Sequence, residues 1–413
     1  MKLDLTDMLY ALSFALDKAE IELLGVETGH GRRVACLSMF MAEEAGIRGE
    51  ELRDLVGCCI LHDNALTEFI HEELSKSHML DGMETQLSDV IGIDTVTNGS
   101  RHSVIGERNI RLVPFRTDVK NIVLYHHENA DGSGAIGVTA AETGLKPQLL
   151  HLADMVDVTF KLNPVSEEKY AEILAWVEEK SGKLFSEEVV QLFRDAVTYD
   201  KMTYMAKEGA LASLQRELRT EPCEYSDAEI HNLATLFARI IDYKSEFTQT
   251  HSLGVADKAQ QMANYYGFDR EKTTRFYLAG ALHDIGKLLV SNDILEKPGK
   301  LTDDEFSVMK DHASATRYIL SRIKEIPDIT EWAANHHEKL NGSGYPRGLT
   351  AEELGFEERL MACIDIYQAL TEKRPYKDGM PHEKAIAIMK DMADKNFIDE
   401  TIVRDMENAM AQQ

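Results

Sequence analysis

Basic residues are scarce in this sequence. Its 45 lysines and arginines stand against 71 aspartates and glutamates, which gives a formal net charge of -26 at pH 7. Proteins that bind long DNA or RNA use basic surfaces that neutralise phosphates. The charge therefore argues against long nucleic acid as a partner, whereas a small anionic ligand remains compatible with it if cations gather at one site.

Cysteines and long apolar segments are also few. The five cysteines show no C-x-x-C spacing, which favours reduced, buried thiols. A vicinal disulfide or a pair of thiol ligands at Cys58 and Cys59 is the alternative. No signal-peptide pattern opens the chain, and no apolar run approaches the roughly 20 residues of a membrane span. We therefore expect a cytoplasmic protein without a membrane partner.

Proline is rare as well, with nine residues in a chain of 413. Abundant Ala, Leu, Glu and Met favour helices, and no strand-like alternation of useful length is present. A proline stops the helical pattern at Glu221-Pro222. Capping-box patterns at 226–229 and 302–305 predict two helix starts. We predict an all-α fold with domains at 1–200 and 225–413, joined by a helical linker at 201–224.

The two halves of the chain repeat each other. His30 lies 32 residues before His62, and His251 lies 32 residues before His283. The separation from His102 to His126 is again the same as from His312 to His336. The sequence 129–134 mirrors 339–344, and the main difference is a longer N-terminal segment between the His-Asp pair and the third histidine. Chance would rarely align so many histidines, so the pattern indicates a duplicated domain.

One apolar stretch, from Phe276 to Val290, contains three polar side chains: His283, Asp284 and Lys287. We predict a single helix here, with these groups inside it. Burying them without partners would be costly, and a cluster of metal ions would compensate.

Further candidate ligands surround this stretch in the sequence: Glu246, His251, His312, His336, His337 and Asp365. Imidazoles mixed with carboxylates suit manganese, iron or zinc, and the lack of thiolates argues against a structural zinc site. Adjacent histidines on one helix point roughly 100° apart, so His336 and His337 are expected to serve different ions. Glu246 either completes the cluster or caps a helix. The number of candidates predicts two or three divalent ions, which would activate a water for attack on a phosphodiester.

At these residues the sequence resembles the HD-GYP family of cyclic dinucleotide phosphodiesterases, a branch of the HD-domain hydrolases. The likeness spans roughly 225–413 and rests on 283–287, 336–338 and 344–346, with further matches at 295–302 and 371–376. It implies an iron or manganese cluster held by His251, His283, Asp284, His312, His336, His337 and Asp365, with Glu246 as a further candidate. It also implies that Asp284 and Lys287 are catalytic, and that the substrate is held by Lys287, Tyr345, Arg374 and Lys377.

The sequence departs from the family pattern at two positions. Asn341 and Gln368 stand where aspartates are usual, which could change how neighbouring ligands are oriented.

The N-terminal half resembles the same family in degraded form. It keeps a possible second set of metal ligands, namely His30, His62, Asp63, His102, His126, His127 and Asp154. It lacks the substrate-binding side chains, since 64–66 reads Asn-Ala-Leu and 135–136 reads Ala-Ile.

The resemblance implies hydrolysis of cyclic di-GMP or 3'3'-cyclic GMP-AMP to a linear product through a metal-bound hydroxide. Two alternatives stay open at this point: a sensor that binds a cyclic dinucleotide and docks a partner without turnover, and an HD hydrolase for another phosphorylated nucleotide. A homodimer or a signalling protein partner is compatible with each of them.

Overall fold

The computed structural model describes residues 1–24, 26, 28–66, 68–69, 100–218, 221–244, 250–297, 299–373 and 378–411. These residues form two compact units. The N-terminal unit comprises Leu5–Glu221, and the C-terminal unit comprises Met1–Asp4 together with Pro222–Gln413. Both units are helical, which confirms the all-α prediction.

The N-terminal unit is built around one buried helix, α2. In chain order the elements are α1 Leu5–Leu24, α2 His30–Glu44, α3 Gly49–Ile60, α4 Ser100–Ile110, α5 Ala140–Thr143, α6 Leu145–Phe160, α7 Glu167–Glu179, α8 Glu187–Ala196, α9 Tyr199–Tyr204, a π-helical turn Met205–Gly209 and α10 Ala210–Glu217. Helices α3, α6, α8 and α10 pack on α2, in which every residue from His30 to Ala42 is buried. Leu214 of α10 is buried within this unit, and the linker at 201–224 stays a prediction.

The C-terminal unit repeats this plan with a short β-ladder added. Its elements are β1 Lys2–Leu3, β2 Cys223–Glu224, α11 Asp227–Asp242, α12 His251–Tyr265, α13 Arg270–Leu282, a 3₁₀ turn Ile285–Leu289, α14 Asn292–Leu295, α15 Asp303–Leu320, α16 Pro327–Ala334, α17 Phe356–Thr371, α18 His382–Asp394 and α19 Glu400–Ala409. Strands β1 and β2 pair antiparallel, with Lys2 opposite Glu224. Helix α13 packs against α11, α12 and α16, while α17 packs against α12.

Local sequence signals fix several helix starts. The Ser226 and Thr302 side chains accept hydrogen bonds from the backbone N–H of Glu229 and Glu305, and each glutamate bonds back to the cap residue. These reciprocal bonds satisfy donors that a helix start leaves unpaired. Both predicted capping boxes are confirmed.

The prediction of one helix from Phe276 to Val290 was wrong. Helix α13 ends at Leu282, and a 3₁₀ turn begins at Ile285. His283 and Asp284 therefore lie at a break in the helix. A Cβ on Gly286 would lie 2.0 Å from the backbone oxygen of His312, so the glycine lets the turn approach α15 closely.

The histidine pair is likewise not inside a helix. Helix α16 ends at Ala334, and His336 and His337 occupy the turn that follows it. Apolar residues continue past the first of these ends, at Ile285 and 288–290, which is why the sequence did not reveal that break.

Candidate metal centre

Five segments of the C-terminal unit place seven of the predicted ligands together. They are the start of α12, the break after α13, α15, the turn after α16, and α17; they carry His251, His283, Asp284, His312, His336, His337 and Asp365. Three overlapping groups have ligand atoms within 4.8 Å of one another: His251/His283/Asp365, His283/Asp284/His336 and His312/His336/His337. The shared members link the three groups into one cluster.

Backbone carbonyls orient three of the imidazoles. The Nδ1 atoms of His283, His312 and His336 donate to the carbonyl oxygens three residues earlier, at 2.7, 2.6 and 2.6 Å. A carbonyl only accepts, so the proton is on Nδ1 and the lone pair is on Nε2. This is the tautomer that a metal bound at Nε2 requires.

The inward-facing atoms need a cation. The Nε2 atoms of His283, His312 and His336 and the Oδ1 of Asp284 are buried without a hydrogen-bond partner among the described residues. Yet His283 Nε2 lies 3.2 Å from Asp284 Oδ2, and His312 Nε2 lies 3.5 Å from Asp284 Oδ1. Lone pairs facing lone pairs in a buried site are costly unless a positive charge lies between them. The donor set therefore fits divalent metal ions.

The protonation states of three histidines and both aspartates agree with metal binding. Burial lowers the pKa of His312, His336 and His337, in the last case to about 3. Burial would raise the pKa of Asp284 and Asp365, but neighbouring imidazoles hold both well below the usual range, with Lys287 adding to the effect at Asp284. Neutral imidazoles and charged carboxylates are the forms that coordinate metals.

His251 lies on the carboxylate side of the cluster. Its Nε2 is 3.1 Å from Asp365 Oδ1, and its Nδ1 is 3.2 Å from Glu372 Oε2. Burial alone would lower the pKa of His251, but hydrogen bonds with these two carboxylates raise it to about 9. Glu372 was not among the predicted site residues.

Two of the predicted substrate-binding residues border the cluster. Lys287 Nζ donates to Asp284 Oδ2 at 2.5 Å, and its side chain keeps 22% of its surface exposed. Burial opposes the charge of Lys287, yet Asp284 raises its pKa, so the lysine remains an ammonium. The Tyr345 ring lies 4.8 Å from the His337 ring, and burial raises the pKa of its phenol. Glu246, Arg374 and Lys377 lie outside the described residues.

Glu338, which directly follows the histidine pair, shapes the loop that carries Tyr345. Its carboxylate accepts hydrogen bonds from the backbone N–H of Arg347, Gly348 and Leu349 at 2.7, 3.2 and 2.9 Å. A Cβ on Gly344 would lie 2.4 Å from the backbone nitrogen of Lys339, so only glycine fits there.

The N-terminal unit assembles a similar cluster from its own predicted ligands. The groups His30/His62/Asp63 and His102/His126/His127 each have ligand atoms within 4.8 Å. Asp154 Oδ1 lies 3.3 Å from His30 Nε2 and 3.8 Å from His62 Nε2.

Two imidazoles of this unit have the same orientation as those of the other cluster. His62 and His126 donate from Nδ1 to the carbonyl oxygens of Cys59 and Val123 at 2.8 and 2.6 Å. Their Nε2 atoms are buried without a described hydrogen-bond partner, as is that of His151, which sequence reasoning missed. His151 stands one helical turn before Asp154, and that spacing on one helix face was the available signal.

The surroundings of the N-terminal cluster are different. Leu66 is buried two residues after Asn64, where the C-terminal unit has its lysine. Ala135 stands where the C-terminal unit has Tyr345. These two positions therefore supply neither the ammonium nor the phenol that borders the other cluster.

Comparisons with known proteins identify one domain around each of the two clusters. Sequence models described as HD domain match residues 28–159 and 235–402. The chain is 28% identical to 3'3'-cGAMP-specific phosphodiesterase 1 of Vibrio cholerae over 94% of this chain and 87% of that protein. It is also 28% identical to 3'3'-cGAMP-specific phosphodiesterase 3 of the same organism, over 94% and 90% of the two chains.

A further relative is the cyclic di-GMP phosphodiesterase response regulator RpfG of Xanthomonas campestris. It is 35% identical over 44% of this chain and 48% of its own length. Among solved structures, a cyclic GMP-AMP specific phosphodiesterase of Vibrio cholerae superposes with a TM-score of 0.65 at 23% identity, covering 100% of this chain and 99% of that one.

The chain belongs to the HD-domain proteins. It carries two HD domains, and each encloses one of the two clusters of histidines and aspartates. Its HD domains and its phosphodiesterase relatives make it a metal-dependent hydrolase. No helix in the described part of the chain combines the length and apolar character needed to cross a bilayer.

Proposed function

We propose that the C-terminal unit hydrolyses a 3'-5' cyclic dinucleotide, cyclic di-GMP or 3'3'-cyclic GMP-AMP, to a linear product. The observation that carries this proposal is the set of buried, inward-facing Nε2 atoms beside two carboxylates, with the ammonium of Lys287 at its edge. The relatives are named as phosphodiesterases of these two substrates, which supports the choice of substrate class.

The proposed metal ligands are His251, His283, Asp284, His312, His336, His337 and Asp365, with Glu246 as a further candidate. Imidazole and carboxylate together suit iron or manganese, and we propose two or three ions. Bound there, they would supply a water of lowered pKa and stabilise negative charge on the phosphate oxygens.

The side chains around the cluster are proposed to bind and orient the substrate. Lys287 is held in place by Asp284 and keeps part of its side chain exposed, so its ammonium can also contact a phosphate oxygen. The phenol of Tyr345 stays protonated because its pKa is raised, and it can donate a hydrogen bond. Arg374 and Lys377 are proposed to contact the substrate on the strength of the family pattern.

For the N-terminal unit we propose metal binding without hydrolysis of this substrate. The inward-facing Nε2 atoms of His30, His62 and His126 support the metal. Leu66 in place of a lysine argues against phosphate binding, since an apolar side chain cannot neutralise an anion.

A sensor that binds a cyclic dinucleotide without turnover is the competing proposal. Two complete ligand sets count against it, because binding alone does not need them. A cytoplasmic location, and a homodimer or a signalling partner, remain predictions.

The test is incubation of the manganese- or iron-loaded full-length chain with each dinucleotide, followed by chromatography of the products. We expect a linear dinucleotide from at least one substrate. Protein with confirmed metal content that binds a dinucleotide but yields no linear product would favour the sensor. Protein that neither binds nor cleaves either dinucleotide would overturn both proposals.

A further inference from the structure

Two of the described histidines are oriented by a carboxylate instead of by the carbonyl oxygen three residues earlier. His30 opens α2 and His251 opens α12, so neither has a preceding helical turn to supply that carbonyl. Asp157 Oδ2 lies 2.7 Å from His30 Nδ1, and Glu372 Oε2 lies 3.2 Å from His251 Nδ1. The two histidines match in the duplication, but the two carboxylates do not.

The carboxylate has moved from within one helix to just past the end of the matching helix. Asp157 follows the ligand Asp154 by three residues within α6, whereas Glu372 follows the ligand Asp365 by seven and is the residue directly after α17. Positions three and seven residues on lie on the same helix face, about one turn apart. The longer side chain of glutamate compensates for the greater distance along the helix.

The two units also differ at the position that binds the carboxylate and at the position from which the carboxylate has moved. In the N-terminal unit, Arg33 donates to both oxygens of Asp157, at 2.6 and 2.9 Å. The matching C-terminal positions are Gly254 and Gln368. A Cβ on Gly254 would lie 2.2 Å from Gln368 Nε2, so the glycine admits the amide. Gln368 Oε1 accepts a hydrogen bond from Lys258 Nζ at 2.7 Å, which leaves the carboxylate role to another residue.

Glu372 is buried as a positioning group should be. Its side chain is 4% exposed, and its Oε1 lies 3.3 Å from Thr250 Oγ1. An isolated buried carboxylate would be strongly unfavourable, so its hydrogen bonds to Thr250 and His251 and the nearby positive charge of Lys258 account for its place.

We propose that Glu372 is the positioning residue for His251, and that it has taken over in the C-terminal unit the role of Asp157 in the N-terminal unit. By accepting the Nδ1 proton it fixes the imidazole so that Nε2 faces the cluster, and it makes that nitrogen a better donor. Such outer carboxylates typically contribute about 10–100-fold in metal affinity. The inference rests on the proposed metal centre but not on the proposed substrate.

The experiment measures metal binding without substrate. Full-length protein carrying Asp63→Asn, which weakens the N-terminal cluster, is titrated with Mn²⁺ by calorimetry, with metal content checked by elemental analysis. Glu372→Ala removes the acceptor, and Glu372→Gln keeps an acceptor but removes its charge. We expect Mn²⁺ affinity at the C-terminal site to fall about 10–100-fold for the alanine variant and less for the glutamine variant.

A compensating change separates positioning from a merely structural role. Gln368→Asp combined with Glu372→Ala restores a carboxylate at the position that Asp157 occupies in the other unit. We expect this double variant to recover part of the lost Mn²⁺ affinity. Glu352→Ala, at an exposed glutamate of the same unit, is the matched control and is expected to bind Mn²⁺ like the parent.

Two results would overturn the inference. The first is unchanged Mn²⁺ affinity in both Glu372 variants. The second is a loss of Mn²⁺ affinity in Glu372→Ala that adding Gln368→Asp does not reverse, when the metal-free Glu372→Ala protein also loses a similar amount of unfolding free energy. Failure to cleave any dinucleotide would bear on the proposed function alone, because no arm of this experiment uses a substrate.

Discussion

In both units the turn after the His-Asp pair contacts the helix that carries the third histidine, but different residues make this contact. In the C-terminal unit, Gly286 N donates to Thr316 Oγ1, and Thr316 donates to the carbonyl oxygen of His283, both at 3.0 Å. The matching N-terminal residues are Ala65 and Gly106, so the glycine has moved to the opposite partner. The comparison indicates that this close approach needs one residue without a side chain, which the turn supplies in one unit and the facing helix in the other.

The residues that would meet a phosphate are not kept in this way. Lys287 is matched by Leu66, whose side chain carries no charge. Instead, Asn109 Nδ2 donates to Asn64 Oδ1 at 3.0 Å and lies 3.3 Å from Glu68 Oε2. The difference teaches that metal-ligand geometry and substrate binding can be retained separately within one duplicated fold.

The largest expected effect comes from Asp284, which faces both sides of the C-terminal cluster. Asp284→Asn replaces a charged ligand with an amide and is expected to lower kcat/KM by about a thousandfold or more, which corresponds to roughly 4 kcal/mol of transition-state stabilisation. The matching change, Asp63→Asn, should alter kcat/KM only modestly. Steady-state kinetics of the full-length variants would measure both. Equal losses in the two variants would contradict the division of roles between the units.

A smaller effect is expected from Lys287, whose ammonium is proposed to contact phosphate. Lys287→Met removes the charge and keeps much of the apolar stem. A hydrogen bond to a charged group contributes about 1.5–3 kcal/mol, so kcat/KM should fall by about 10–100-fold.

Metal content separates this loss from loss of the cluster. Elemental analysis of Lys287→Met should give the parent value, since the lysine is not a proposed ligand. Leu66→Met is the matched change in the other unit and should leave kcat/KM at the parent value. A drop in the metal content of Lys287→Met would count against a substrate-binding role.

The clusters could be read from the sequence because duplication supplies an internal control. A lone His-Asp pair carries little information, but equal spacings from His251 to His283 and from His312 to His336 single out residues that must meet. Histidines are also uncommon enough for such matches to be meaningful. The all-α fold followed from composition and from the absence of alternating apolar residues.

The breaks and the supporting carboxylates could not be read in the same way. The helix end after Leu282 is enforced by the contact of Gly286 with α15, which is a tertiary effect. Glu372 looks like an ordinary polar residue near a helix end until the fold brings it to His251. Glu338 stands next to the histidine pair, but its three backbone partners lie nine to eleven residues further on. Local pattern does not encode such contacts.

The exchanged glycine gives a prediction about stability. Gly286→Ala places a Cβ 2.0 Å from His312 O, where the backbone cannot yield easily. Overpacking of this kind costs about 1–3 kcal/mol of unfolding free energy, and we expect metal content to fall as well because His312 moves. Gly106→Ala tests the matching contact, where the nearest atom is Val123 Cγ1 at 3.0 Å. Denaturant unfolding should show a smaller loss of unfolding free energy for Gly106→Ala than for Gly286→Ala. A larger loss for Gly106→Ala would contradict our interpretation of this contact.

The smallest expected difference concerns the two loops that follow the histidine pairs. Glu128 accepts hydrogen bonds from the backbone N–H of Ile136, Gly137 and Val138, as Glu338 does in the other unit. Replacing either glutamate by alanine leaves three buried or half-buried N–H groups without that acceptor, and should cost each unit a similar 1–3 kcal/mol or so of unfolding free energy.

Activity should separate these two variants where stability does not. The loop of Glu338 carries Tyr345, which lies against His337, whereas the loop of Glu128 carries Ala135 at that position. Glu338→Ala should therefore raise KM several-fold at a temperature where the protein stays folded, because the phenol loses its fixed place. Glu128→Ala should leave KM at the parent value. An equal change of KM in both variants would mean that the N-terminal loop also serves the substrate, and the contrast between a substrate-binding unit and a metal-binding unit would fail at this point.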